Sequence, residues 1–293
     1  MNKHKDKPPF RLSQARIAII GLGLMGGSLA MALRNHCREC LAVDPDPETL
    51  KLGHDNQVVD RASADPTEIL PYADVIVLAA PIHAIIEWIQ RLPELKSDSA
   101  MVIDLGSTKV GIYQALEKLP ARFDPIGGHP MTGKETSGLA HAQVSLYQDA
   151  IFALTPLPRT SANARDIALE IVRAVGASPL WLNPATHDYY VAATSHIPYL
   201  ISAALALSTP PEVASLIGPG FRSSTRLAGS GPGMMTDILL SNRSTVLDAL
   251  ARFRQQLDWL EGAITNGNPD MVKQVLTRSQ THRKLLLDRN KKF

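Results

Sequence analysis

Residues 16–33 read RIAIIGLGLMGGSLAMAL: an apolar run, three spaced glycines, then a run of good helix formers. That order suits a strand, a tight turn and a helix packed back on the strand. Gly21, Gly23 and Gly26 give G-x-G-x-x-G, which alone is a weak signal, so its weight comes from what flanks it. A second apolar run, CLAVD, ends in Asp44, 18 residues after Gly26. Roughly 20 is the spacing at which an acid meets the adenosine ribose hydroxyls of a bound dinucleotide. In that arrangement Gly21 allows the turn and Gly23 lets a pyrophosphate approach the backbone. Gly26 lets the helix pack closely, and the helix amino terminus faces the phosphates. Leu22, Leu24 and Met25 complete the binding turn. The Asp44 carboxylate repels a 2′-phosphate, and Pro45, Asp46 and Pro47 supply no arginine to hold one. The expected cofactor is NAD.

Apolar runs of the same kind recur at 74–81 (DVIVLAAP), 100–107 (AMVIDLGS) and 150–155 (AIFALT), with a short one at 179–182. Uninterrupted runs suit strands buried on both faces of a parallel sheet. Helical patterns lie between them at 84–92, 109–119 and 162–175. The alternation predicts an α/β, Rossmann-like dinucleotide-binding domain over 16–183, preceded by a basic tail, 1–15. Ala80 and Pro81 close the third run and join the cofactor-binding set.

Past Asn183 the strand signals stop. A long helix is expected over 186–207, then a loop GPGFRSSTRLAGSGPG, then a helix over 234–264. A last helix begins with Asn268 as cap and Pro269 in its first turn. Val246, Leu250, Phe253, Leu257, Leu260 and Ile264 are spaced 4-3-4-3-4, the period of a helix–helix seam. Residues 184–293 therefore read as an all-helical domain with more apolar seam than one helix pair needs, which predicts a homodimer.

With 45% apolar and 20% charged residues the chain has ordinary globular composition. A net charge of +2 is too small to argue for nucleic acid or a membrane surface. The excess basic charge sits in the end segments MNKHKDK and DRNKKF, read as solvated tails. No apolar run is expected to reach the roughly 18–20 residues that span a bilayer. The amino terminus lacks the apolar segment of a signal peptide, so a cytoplasmic protein is expected. Cys37 and Cys40, in HCREC, are the only cysteines. Zinc would need a second ligand pair, and the two thiols fall where small apolar residues pack, so neither a metal nor a redox role is expected.

Hydride transfer from an alcohol also needs a proton acceptor. The β-hydroxyacid dehydrogenases, which also begin G-L-G-x-M-G, use a lysine on the helix joining their domains. This chain has no lysine between Lys134 and Lys273. The alternative lies in GGHPMTGKETSG (127–138), where glycines and hydroxyl residues read as a loop with His129 exposed. Three further stretches carry polar groups. DLGSTK (104–109) ends the fourth strand at the edge where such sheets bind ligands. ATSHIPY (193–199) lies on the long helix, and GFRSSTR (220–226) lies in the glycine-rich loop. His187 is nine residues before His196, on the opposite face of a regular helix, and is not paired with it. Arg222 is read as structural or a surface charge.

GLGLMGGS, DLGSTK, GGHPMTG, SHIPY and GFRSSTR occur in the order found in the prephenate/arogenate (cyclohexadienyl) dehydrogenase family of tyrosine biosynthesis. The chain resembles that family over essentially all of its length after residue 15. The resemblance implies NAD-dependent oxidative decarboxylation of a cyclohexadienyl substrate. Hydride leaves the carbon bearing the ring hydroxyl, the hydroxyl proton passes to a histidine, and the ring carboxylate departs as carbon dioxide. The resemblance makes His129 the proton acceptor and puts Ser107 on the same hydroxyl, beside the nicotinamide. It puts Arg226 on a substrate carboxylate, where a planar fork is better than a lysine. His196 faces the cleft, and Tyr199, Thr132 and Lys134 are counted with the substrate contacts. Two positions depart from the family pattern. Tyr199 stands where a second histidine is frequent, and Ser223 stands where an acid often precedes the arginine. Lys134 would attract the second carboxylate of prephenate and repel the amine of arogenate, so a preference for prephenate is expected, with room for some arogenate activity.

Overall fold

The computed structural model describes residues 10–290. Eight strands form one sheet: β1 (Arg16–Ile20), β2 (Glu39–Val43), β3 (Arg61–Ser63), β4 (Val75–Leu78), β5 (Ala100–Asp104), β6 (Phe123–Pro130), β7 (Ile151–Pro156) and β8 (Ser178–Trp181). Their order is β3-β2-β1-β4-β5-β6-β7-β8. The first six strands run parallel, as expected. β7 pairs antiparallel with β6, and β8 follows β7 in parallel, so the last two strands run against the rest. The cause is the β6–β7 connection, which carries two short 3-10 turns in place of a crossover helix. An antiparallel neighbour needs no such crossover.

Helices α1 (Leu24–Leu33), α2 (Pro47–Asp55), α3 (Ile82–Leu95), α4 (Val110–Glu117) and α5 (Ala162–Ala174) flank the sheet. Ile17, Ile19, Val75, Val77, Met101 and Ile103 point into one core, shared with α1 and α5. Their neighbours Ala18, Ile20, Ile76, Leu78, Ala100 and Val102 point into the other, shared with α3 and α4. Burial on both faces explains why these segments are uninterruptedly apolar. Cys40 is buried and Cys37 half-buried in the first core, both as free thiols.

The expected tail over 1–15 needs a correction at its inner end; residues 1–9 lie outside the described residues. Leu12–Gln14 form a 3-10 turn with Leu12 buried. Glu170 of α5 accepts the Leu12 N–H at 2.8 Å and pairs with Arg11. At the other end, residues 288–290 finish a helix; 291–293 lie outside the described residues.

The helical part holds α6 (Pro184–Val191), a π turn (Ala192–His196), α7 (Ile197–Ser208), α8 (Pro219–Thr225), α9 (Pro232–Ser241), α10 (Arg243–Thr265) and α11 (Pro269–Asn290). The helix expected over 234–264 is broken at Asn242, whose φ of −117° and ψ of 29° leave the helical range. Its amide turns inward to two buried groups described below. Asn268 caps α11 as expected, accepting the Asp270 N–H at 2.9 Å. Pro184–Ser208 is long and apolar enough to cross a membrane by length and composition alone, contrary to the sequence expectation. Polar residues break up the run in sequence, and four of them, His187, Asp188, His196 and Ser202, are buried in the fold.

The core proper to the helices is small: Ala192, Ile197, Val246 and Ala249, with Leu250 and Phe253 packed on it. Along the α10 seam, Val246, Leu250 and Phe253 join this core, whereas Leu257 and Ile264 are exposed. Leu276, Leu285 and Leu286 on α11 are exposed too. Exposed apolar side chains gathered on α10 and α11 are what a face that meets another chain would present.

Candidate active site

Strand order reverses between β1 and β4, the place where open sheets of this type bind ligands at the carboxyl ends. Gly21 follows β1 with φ of 94°, and a Cβ there would sit 2.5 Å from the Ala79 carbonyl oxygen. A Cβ at Gly26 would collide with the Gly21 carbonyl, so only glycine allows α1 to sit this close. Gly23, the residue before α1, faces open space, which leaves the amide groups of the first helical turn accessible to an anion. Asp44 braces the same turn: Oδ2 accepts the Leu22 N–H at 2.7 Å and Oδ1 accepts the Asp46 N–H at 3.0 Å. Its carboxylate is half-exposed, with lone pairs left for a ribose. Ala80 and Pro81 follow β4, half-buried and exposed respectively. These residues fit a dinucleotide.

His129 does not sit on a loop. It lies on β6, opposite Ala153 of β7, and is half-buried. The adjacent glycine signals close approach, not a turn: a Cβ at Gly128 would lie 2.7 Å from the Asp104 carbonyl oxygen and 2.9 Å from the Phe152 ring. His129 Nδ1 is 2.9 Å from His187 Nε2, and His187 Nδ1 is 2.8 Å from Asp188 Oδ1. Asp188 also accepts the backbone N–H groups of Lys109 at 2.7 Å and Val110 at 2.9 Å, capping α4 from the other domain. A carboxylate with this many donors is an acceptor, so His187 carries its proton on Nδ1. Its Nε2 then accepts from His129 Nδ1–H, which leaves His129 Nε2 with a free lone pair. Burial, then repulsion from His187, Lys109 and His196, holds the His129 imidazole well below the usual histidine range. A neutral base of fixed tautomer results.

His187 belongs to this site, although its nine-residue spacing from His196 argued for opposite helix faces. The π turn between them adds a residue to the local rotation and brings both side chains into the buried interdomain region. Asn242 Nδ2 donates to the Asp188 carbonyl at 2.8 Å and reaches His196 Nδ1 at 3.4 Å. Burial lowers His196 to about 4, with Asp188 opposing and His187 adding to the shift. It is therefore neutral, with Nε2–H as its donor.

Ser107 follows β5, half-buried, and its hydroxyl has no protein partner among the described residues. Just beyond it, the buried Lys109 ammonium bonds the Asp104 carboxylate and the Gly128 carbonyl, the latter at 2.6 Å. Arg226 opens the turn Arg226–Gly229 after α8 and pairs with Glu135. The acid missing at Ser223 is thus supplied from 91 residues away. Thr132 donates to the Leu146 carbonyl at 3.0 Å, which fixes the chain after β6. Lys134 reaches only the His141 carbonyl, at 3.5 Å. Tyr199 packs against the apolar cluster that contains Met235 and Ile238. Among the described residues no group of three metal-ligating side chains converges.

Two family models cover most of the chain. "Prephenate dehydrogenase, nucleotide-binding domain" matches residues 29–180, and "Prephenate dehydrogenase, dimerization domain" matches residues 183–278. The chain belongs to the prephenate dehydrogenase family. It is an NAD-dependent oxidoreductase of that family. A prephenate dehydrogenase of Bacillus subtilis is 32% identical over 272 residues, covering 88% of this chain and 70% of the relative. The crystal structure of prephenate dehydrogenase from A. aeolicus, in complex with hydroxyphenyl propionate and NAD+, superposes with a TM-score of 0.86 at 29% identity. That match covers 94% of this chain and 99% of the other. Synechocystis arogenate dehydrogenase superposes at 0.80 and 29% identity, over 92% and 99%. In this member of the prephenate dehydrogenase family the phosphate turn at Gly21–Gly26 precedes the region that the first model matches.

Proposed function

We propose that the chain oxidises and decarboxylates prephenate to 4-hydroxyphenylpyruvate. The observation that carries this reading is the His129–His187–Asp188 chain, which leaves one neutral imidazole nitrogen to take a proton. NAD, when bound, supplies the hydride acceptor. The open turn at Gly23 and the carboxylate of Asp44 would hold its pyrophosphate and adenosine ribose. His129 Nε2 accepts the ring-hydroxyl proton as the C–H bond at the same carbon breaks, and Ser107 orients that hydroxyl. As the proton arrives, His187 and Asp188 stabilise the charge on the ring through their aligned hydrogen bonds. Arg226 grips a substrate carboxylate once Glu135 yields it, and neutral His196 donates from Nε2. The electron pair of the breaking C–C bond enters the ring, carbon dioxide leaves, the ring becomes aromatic as its oxygen takes up the charge, and His129 returns the proton to that phenolate oxygen.

The choice of prephenate rests on Lys134 and Arg226, two cations near the segment after β6 that favour a second carboxylate over an amine. An arogenate preference is the second reading, supported by the likeness to the Synechocystis arogenate dehydrogenase. Comparing kcat/KM for the two substrates decides between them, and a clear arogenate preference overturns the first. The exposed apolar face of α10 and α11 and the match to a dimerization model support a homodimer, which we expect in the cytoplasm. The reaction itself is tested by mixing the protein with NAD and prephenate and following NADH absorbance. Turnover is expected in the wild type, with His129→Ala losing several orders of magnitude in kcat at nearly constant KM. A fully active His129→Ala sinks the mechanism.

A further inference from the structure

Lys109 is 1% exposed and has no task in the steps above. Its ammonium lies between the Asp104 carboxylate, at the end of β5, and the carbonyl of Gly128, the residue before His129. Asp104 in turn accepts the N–H of Gly106 at 2.8 Å and of Gly128 at 3.3 Å. One ion pair therefore ties together the loop that carries Ser107 and the strand that carries His129. The backbone of Lys109 continues the link to Asp188, and Thr108 Oγ1 meets Ser241 Oγ of α9 at 2.9 Å. A buried ion pair is seldom a stabilising choice, because desolvation offsets the attraction and a well-packed apolar pair of the same volume does as well or better. Its place beside both reacting side chains calls for another role.

We propose that Lys109 is a positioning residue for His129: bonded to the Asp104 carboxylate and to the carbonyl of Gly128, its ammonium fixes the spacing between His129 and Ser107 and sets a positive charge one residue from the imidazole. This rests on the reading of His129 as the proton acceptor. The charged and titratable groups facing His129 are Lys109, with Asp104 behind it, from the β5 edge, His187 and Asp188 from α6, and His196 from the π turn. On β7 the residue opposite is Ala153. Burial is the larger cause that keeps His129 neutral; the Lys109 ammonium, itself lowered by burial and held charged by Asp104, adds to it by opposing protonation of His129. The base form of the ring consequently persists on the acid side of neutrality, where a free histidine is protonated.

The test follows the imidazole directly. Full-length protein labelled with 15N at histidine is titrated by NMR from about pH 8 to about pH 4, with His129 assigned through its loss in His129→Asn. Two variants are compared with the wild type. Lys109→Met with Asp104→Asn removes the charge without leaving a buried carboxylate unpaired; Asp104→Asn alone keeps the ammonium. The double variant is expected to raise the His129 titration by about one pH unit, while Asp104→Asn leaves it unchanged or lower. The acid limb of kcat/KM for prephenate should move upward with the NMR titration. An unmoved His129 in the folded double variant overturns the proposal. A rise in Asp104→Asn also overturns it, because looser packing would shift both variants alike. If the double variant does not fold, the direction seen in Asp104→Asn decides. A wild type that fails to turn over prephenate defeats the functional reading, while the NMR titration still decides the role of Lys109.

Discussion

His129 Nδ1 and His187 Nε2 are 2.9 Å apart, and that hydrogen bond crosses from β6 of the sheet domain to α6 of the helical domain. The base is therefore oriented only when the two domains are docked. Asp188 reinforces the docking by capping α4 and holding His187 with one carboxylate.

His187→Ala is accordingly expected to lower kcat by about 100-fold, the scale of losing an oriented base, with a small change in KM. Asp188→Asn should fall in the same direction, since an amide no longer compensates charge on the relay. Steady-state kinetics on both variants check this, and a His187→Ala enzyme with wild-type kcat refutes the relay.

Asp44 has two jobs at the cofactor edge, bracing Leu22 and presenting a carboxylate to the ribose. Asp44→Asn keeps much of the brace and removes the charge that repels a 2′-phosphate. KM for NAD should rise about tenfold and the discrimination against NADP should shrink, while KM for prephenate stays within about twofold. An unchanged NAD/NADP ratio removes Asp44 from cofactor selection.

Strands buried on both faces were legible because nothing polar is tolerated in them; Val75–Leu78 is the clearest case, with all four residues buried. β3, only three residues long and polar at the sheet edge, carries no such signal. The end of β6, residues 127–130, was read as the start of a loop because its glycines lead into a stretch rich in small hydroxyl residues. Its extended form comes from pairing with β5 and β7, and its glycines answer to Asp104 and Phe152, which are distant in sequence. The motifs bearing Ser107, His129, His196 and Arg226 stood out as local patterns. His187 did not, because a π turn alters the periodicity on which helix-face reasoning depends. Glu135 escaped for a similar reason, since its pairing with Arg226 exists only in the folded chain.

The Arg226–Glu135 pair is largely exposed, so it adds little to stability. Its consequence lies in binding, because a substrate carboxylate must take Glu135's place on the guanidinium. Arg226→Ala should raise KM for prephenate by about 100-fold with a smaller loss in kcat, and Arg226→Lys should recover only part of this because the planar fork is lost. Glu135→Gln should lower that KM a few-fold. A rise in KM for Glu135→Gln shows instead that Glu135 orients the arginine.

The buried histidines also make folding stability depend on pH. His196 titrates near 4 in the folded protein against 6.5 for an unperturbed ring. Between those values the unfolded chain takes up a proton that the folded one refuses. Stability is therefore complete above about pH 6.5 and falls as the pH drops toward 4. The loss from this group is on the order of 3 kcal/mol. His129, lowered chiefly by burial, acts in the same direction. Urea unfolding at neutral pH and near pH 4.5 measures the slope. His196→Gln keeps a polar side chain next to Asn242 but cannot titrate, so its stability should decline less over the same interval. Equal slopes for the two proteins would show that His196 is not held neutral in the fold.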